Sequence, residues 1–423
     1  MNDKAASGVT AGAKPKYTKQ DLVWSVSMFG TAVGAGILFL PIRAGLEGFW
    51  PLILMGIIIG PLVYLAHRAL GRFILSSSKP NAELADVVTE HFGNKSAIAI
   101  SFLYFFAFFP PVLIYGSAIT NTVDSFMVNQ LAMEAWPRWL LSGVLITAMV
   151  GVIMLGQKLM LKITAALVYP LIAILFGFSV YLIPDWSMEA MSTDAVPAFG
   201  DFMLVVFMAM PMLIFSFNHS PAVSYMAQAQ RNEHGEHAEA KSDAILKGGA
   251  ILLVIFVMFF VFSCVLSLTP AQLLEAKEQN LPVLSYLANV HGSPVIAIVG
   301  PLVAFLAIFS SFFGHLLGAK EGLSGLLRKA CPEKVENIDA KKFDKGLMLF
   351  FYLSTWAITV YNPSVLGMCE ALGAPFIIAM LFLVPMFAIN KVPAMAKYRG
   401  KVSNVVVTVT GIGAILAVLI DML

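Results

Sequence analysis

The heptapeptide FSFNHSP, residues 215–221, places Ser216, Asn218, His219 and Ser220 in a stretch that is otherwise hydrocarbon. FMLVVFMAMPMLI precedes it, and the next basic residue is Arg231. Pro221 lacks an N–H and crowds the carbonyl four residues back, at Phe217. The polar side chains beside it can bond the backbone groups that such a break frees. A second interruption is GTAVGAGILFLP, residues 30–41. There Gly30, Gly34 and Gly36 each cost an isolated helix about 1 kcal/mol relative to alanine. Each feature has a plain alternative: a proline kink with a packed histidine, or glycines that let helices approach closely.

Taken together, the two breaks suit a zwitterion. A half-helix starting after Gly36 aims free N–H groups at a carboxylate. A half-helix ending near Phe215 aims carbonyls at an ammonium. Bare backbone at Gly34 and Gly36 permits close approach. An α-amino acid carries both charges on adjacent atoms. Asn218 and His219, with Thr31, are the candidates for reading a side-chain hydroxyl, and Ser216 adds a further polar group. Sites built for a hydroxyl reject analogues lacking it, because their own polar groups go unpaired. Tyr115, after Pro110 and Pro111, is a candidate lid; an interfacial aromatic is the alternative. Glu370 is a candidate gate or proton site, against a buried ion pair with no transport role. In AIFSSFFGHLLGAKEG, helical spacing puts Ala307, Ser310, Ser311, Gly314, His315 and Gly318 on one face.

The elements that must position these groups are membrane helices. The chain has 423 residues, 59% hydrophobic and 12% charged, where soluble domains carry about 25% charged residues. Continuous apolar runs of about 20 residues suit helices, whereas barrel strands alternate. Eleven spans are expected, at 22–45, 50–75, 96–122, 139–156, 161–183, 201–226, 246–268, 294–318, 346–361, 364–389 and 403–421. All but Arg43, Arg138 and Lys277 of the 27 Lys and Arg residues fall on the N-terminal tail and every second loop. That is the positive-inside pattern, with the N-terminus cytoplasmic and the C-terminus outside. Residues 1–20 are polar and basic, with no cleavable signal pattern. Cys264, Cys331 and Cys369 have neither metal nor disulfide-framework spacing. No metal-ligand cluster, nucleophile elbow or phosphate loop is evident, so an enzyme is not expected.

Spans 1 and 6 are the broken ones, which divides the chain into two halves of five spans. Halves of five have opposite orientation, so related halves would form an inverted repeat around a central site. The expected organisation is a cytoplasmic tail (1–21), a first repeat (22–183), a second repeat (184–389), and a loop with an eleventh helix (390–423). A channel does not need paired breaks, and the longest loop is too short to hold a signalling domain.

The chain resembles the hydroxy/aromatic amino acid permease family, a branch of the amino acid–polyamine–organocation superfamily with the LeuT-type fold. The resemblance covers nearly the whole chain and is closest to the bacterial serine-transporting group. It is carried by GTAVGAGILFLPI (30–42), AHR (66–68), FSFNHSP (215–221), FFVFSCVLSLTPA (259–271), EAKEQN (275–280), LSYLAN (284–289), FGHLLGAKEG (313–322), NPSVLGM (362–368) and KVPAMAKY (391–398). It implies uptake of L-serine, with L-threonine as a second candidate, across the bacterial inner membrane by cation symport. The expected partners are that substrate, the cation and the bilayer, with no nucleic acid, no cofactor and no obligate protein partner.

Sodium-coupled members of the fold hold Na⁺ between spans 1 and 8. Matched residue by residue, the resemblance implies ligands from the Gly30, Val33 and Ala307 carbonyls and the Ser310 and Ser311 hydroxyls. The serine group is generally regarded as proton-coupled, with Lys at the position of Ser310, and this chain departs from that pattern. The alternative is proton coupling through His219, His315 or Glu370, with the two serines bonded to carbonyls of their own helix. An uncoupled facilitator is the more distant alternative.

Overall fold

The computed structural model describes residues 17–82, 84–154, 157–187 and 197–423, with backbone alone at 157–165. Lys4, Lys14 and Lys16, the side chains of Lys158 and Lys162, and residues 188–196 beside the expected boundary of the halves lie outside the described residues. Among the described residues all regular structure is helical.

Each expected span coincides with a helix or a helix pair. Eight described helices are long and apolar enough to cross a membrane, or nine when the bent pair Lys19–Ala32 and Ala35–Leu46 is one span. Span 4 is the shorter Arg138–Met154, of 17 residues. Span 9, Ala340–Tyr361, begins with the polar AKKFDK, so only its later turns are apolar. Several helices outrun the expected spans. Span 3 runs Leu84–Asn129, kinked at Gly93 (φ +78°); span 7 runs Ala238–Leu266; span 8 runs Pro294–Ala330. Apolar content marks the part of a helix that crosses lipid, while charged turns beyond it keep the same backbone hydrogen bonds.

Both expected breaks are present, with adjusted edges. Span 1 bends by 65° between Ala32 and Ala35. The second half therefore begins at Ala35, before Gly36, and only Val33 and Gly34 are unwound. Span 6 is Phe199–Ser216 followed by Ser220–His234. Pro221 occupies the first turn of that second half, where a missing N–H costs nothing. The proline thus starts a helix instead of kinking one.

Spans 3 and 8 pack along much of their length. Gly318 and Gly322 permit it: an added methyl would meet the Phe108 ring at 3.0 Å and the Phe105 backbone at 2.9 Å. Gly314, assigned to the same face, has open space instead. Between spans 7 and 8 lie two short helices the sequence reading did not foresee, Pro270–Glu278 and Val283–Val290. Asn280 (φ +56°) sits between them. Its Nδ2 donates to Asn362 Oδ1 and Pro363 O, its Oδ1 accepts from Val365 N, and its carbonyl accepts from Asn121. This loop is thereby tied to spans 3 and 10. Span 10 carries two π-helical turns, Cys369–Gly373 and Ala379–Leu383, a distortion frequent at functional sites.

Candidate substrate and cation site

The break in span 1 exposes backbone that span 8 meets directly. Unwinding at Val33 and Gly34 removes the regular i→i+4 acceptors' partners, so the Gly30 and Val33 carbonyls are free to turn outward. Ser311 Oγ donates to Val33 O at 2.6 Å and lies 3.4 Å from Gly30 O. Ser310 Oγ donates to Ala307 O at 3.1 Å. All five residues of the proposed cation set are buried. Span 8 therefore brings the Ser311 hydroxyl against two carbonyls of span 1, while Ser310 bonds Ala307 within its own helix. Gly34 is necessary for this approach, because a methyl there would lie 2.8 Å from Ser311 Cβ and Oγ.

Tyr115 closes on the same place from span 3. Its hydroxyl would lie 3.1 Å from a methyl on Gly34 and is 3.4 Å from His315 Nδ1. His315 sits edge-on to that ring, one turn beyond Ser311, and its Nδ1 donates to Ser311 O at 3.0 Å.

The second half of span 1 begins buried, and Gly34 provides no side-chain cap. Free N–H groups at a buried helix start call for a partner, and an anion is the natural one. Gly36 faces span 6: a methyl there would meet the Phe215 ring at 2.9 Å and Ser216 Cα at 3.1 Å. The two breaks are thus in contact. The other side of the Phe215 ring lies against Gly373 of span 10.

Within span 6, Ser216 Oγ, Asn218 Nδ2 and His219 Nε2 are buried and have no hydrogen-bond partner. An unsatisfied buried group costs about 1–3 kcal/mol. Three within four residues mark a place for something polar. Asn218 Oδ1 accepts from Ser220 N at 3.1 Å. His219 Nδ1 is 3.1 Å from Phe217 O. Thr31 is not brought to this cluster: it is half-buried, and its hydroxyl donates to Ser27 O of its own helix.

Glu370 lies on the first π-helical turn and forms an ion pair with Arg43 Nε at 2.7 Å. Arg43 also pairs with Glu47 and donates to Met208 O. This cluster joins spans 1, 6 and 10 at one end of the bundle. At the other end Lys241 Nζ lies 2.7 Å from Asp21 Oδ2, both buried, which joins spans 1 and 7.

The sequence reading missed His67. This span-2 histidine is buried, and its ring stacks on His219 with centroids 3.6 Å apart and planes 3° from parallel. The signal was available, since an ionisable residue at membrane depth is a functional candidate by default. It appeared only as the middle letter of AHR.

The profile of the tryptophan/tyrosine permease family matches residues 18–420. The chain belongs to that family. It is 47% identical over 410 residues to the serine transporter SdaC of Escherichia coli K12, covering 96% of each chain. Among solved structures, an Eremococcus coleocola manganese transporter aligns with TM-score 0.61 at 14% identity, covering 99% of this chain and 91% of that one. MhsT in complex with L-phenylalanine aligns with TM-score 0.58 at 14% identity, covering 97% and 99%. At such identities the likeness establishes the fold, which is the LeuT-type arrangement that the family resemblance implied. The permease is a multi-pass membrane protein.

Proposed function

We propose that the permease is a secondary active transporter that imports L-serine, with L-threonine as a second substrate, together with Na⁺. The observation that carries the reading is the convergence of the two breaks. An uncapped helix start from span 1 and three unpartnered polar atoms from span 6 lie on touching segments. The helix start suits the substrate carboxylate, and the Asn218–His219 pair suits its hydroxyl. The serine transporter relative supports the substrate class. Five oxygens from Gly30, Val33, Ala307, Ser310 and Ser311 are a donor set for a hard monovalent cation. Binding there would draw span 8 to span 1 and favour the substrate-competent arrangement through differential affinity. The proposed setting is the bacterial inner membrane with the N-terminus cytoplasmic, and the proposed halves are 22–183 and 184–389.

Proton coupling is the second reading, and one observation favours it. Ser311 Oγ donates to the Val33 carbonyl at 2.6 Å and Ser310 Oγ to the Ala307 carbonyl, so each hydroxyl has a carbonyl partner of its own. The buried His219 and His315 would then take the proton. The deciding measurement is uptake of labelled L-serine into proteoliposomes under a Na⁺ gradient at one pH on both sides. Uptake that requires Na⁺ and is lost in Ser310→Ala and Ser311→Ala supports the first reading. Full uptake in sodium-free medium under a pH gradient alone overturns it in favour of the second. No serine uptake under either gradient overturns both.

A further inference from the structure

We infer that His67 is a positioning residue that holds the span-6 break in place, where His219 Nε2 is left as an acceptor beside the Asn218 Nδ2 donor. The inference rests on the serine reading above and specifies how its hydroxyl would be recognised.

The polarity follows from groups whose roles are not free. A backbone N–H only donates. His219 N lies 3.1 Å from His67 Nε2, so that nitrogen accepts and carries no proton. The proton of a neutral His67 is then on Nδ1, which is 2.8 Å from Val63 O, a carbonyl that only accepts. The same rule applies to His219. Its Nδ1 faces Phe217 O at 3.1 Å and must donate, so its Nε2 is left with a lone pair. That nitrogen is buried and has no partner. Asn218 is settled likewise: Oδ1 accepts the Ser220 N–H, which assigns Nδ2 as the unpartnered donor. Neighbouring residues therefore present one acceptor and one donor. A hydroxyl is the smallest group that donates to one and accepts from the other. A methyl in its place satisfies neither.

His67 holds this arrangement from outside it. It bonds the backbone of His219 and stacks on its ring at 3.6 Å. The bond crosses 152 residues of sequence. Stacking limits rotation of the His219 ring, and the backbone bond holds the start of the second half of span 6. Without the acceptor on His67, the His219 N–H seeks another partner, and the ring loses its reference.

The test compares two substitutions in the purified full-length protein. His67→Gln keeps an acceptor near the position of Nε2; His67→Phe keeps a flat ring and removes the acceptor. Binding of L-serine and L-alanine is measured for each. In His67→Phe the preference for serine over alanine should fall about tenfold or more, with alanine binding little changed. In His67→Gln most of the preference should return. Equal impairment of both variants, or an unchanged preference in His67→Phe, overturns the inference. Should His67→Phe not fold, ¹⁵N spectra of histidine-labelled wild-type protein decide. Peaks assigned by their loss in His67→Gln and His219→Gln should show Nδ1 protonated and Nε2 bare at both residues. A proton on either Nε2 overturns the inference. These spectra need no substrate, so they stand apart from serine uptake by the wild type, which tests the functional reading alone.

Discussion

An alanine methyl at Gly34 would press on Ser311 Cβ and Oγ at 2.8 Å, and neither atom is the far end of a flexible chain. At Gly36 it would meet the Phe215 ring and the Ser216 backbone. Overpacking of this kind costs about 1–3 kcal/mol. We therefore expect Gly34→Ala and Gly36→Ala each to weaken serine binding about tenfold or more, measured on purified protein. Gly314→Ala is the control, because nothing lies near its methyl. It should bind serine as the wild type does, and a loss there would mean that glycines in this region matter through flexibility and not through contact. Single-residue chemistry also distinguishes the serines. Ser310 bonds its own helix, whereas Ser311 reaches across to span 1. Ser311→Ala should loosen the junction of the two spans even in the absence of Na⁺, seen as a lower Tm than Ser310→Ala in sodium-free buffer.

Helices carry the next level of control, because each end of span 1 is tied to a different neighbour. Thr18 and Asp21 form a capping box at its start, each side chain bonding the other's backbone N–H. Asp21 then pairs with Lys241 at 2.7 Å. Burial raises the Asp21 carboxyl, but the hydrogen bonds from Lys241 and Thr18 outweigh it and hold it below its ordinary value of 3.8. A depressed carboxyl stabilises the folded state above its unfolded pKa, and that stability fades as pH falls through the folded one. Asp21→Asn should thus lower Tm by several degrees at pH 7. The gap to wild type should narrow once pH drops below about 4. A gap that stays constant down to pH 3 would mean the pair contributes no pH-linked stability. At the far end Arg43 gathers Glu47 and Glu370. Both ties are closed together in this structure.

At the level of the whole molecule, the basic residues and the two broken helices lead to one arrangement. With eleven spans, a reporter fused after Leu423 should be active in the periplasm, and one fused at the N-terminus in the cytoplasm. A cytoplasmic signal at both ends would make the span count even and remove the basis for opposed halves. Weakly apolar span 9 and the 17-residue span 4 are where such an error would lie. The two helices between spans 7 and 8, held by Asn280 to spans 3 and 10, add a covering layer that hydropathy does not register.

Local chemistry was legible in the sequence. Long apolar runs define lipid-crossing helices because no other open structure satisfies its backbone there. Glycines and a proline mark where those helices stop, so both breaks were located to within a few residues. Gly30, Val33, Ala307, Ser310 and Ser311 came from resemblance, not from spacing, and folding does place Ser311 on the Val33 carbonyl. Facing and partnership were not legible. Thr31 has the right residue type in the right segment, yet its hydroxyl turns to Ser27. Gly314 has helical spacing with Gly318 but touches nothing across the interface. His67 and His219, Arg43 and Glu370, and Asp21 and Lys241 are distant in sequence, and no periodicity within one helix encodes which neighbour it meets. Helix periodicity specifies a face; the angles and registers at which the helices pack decide what that face touches.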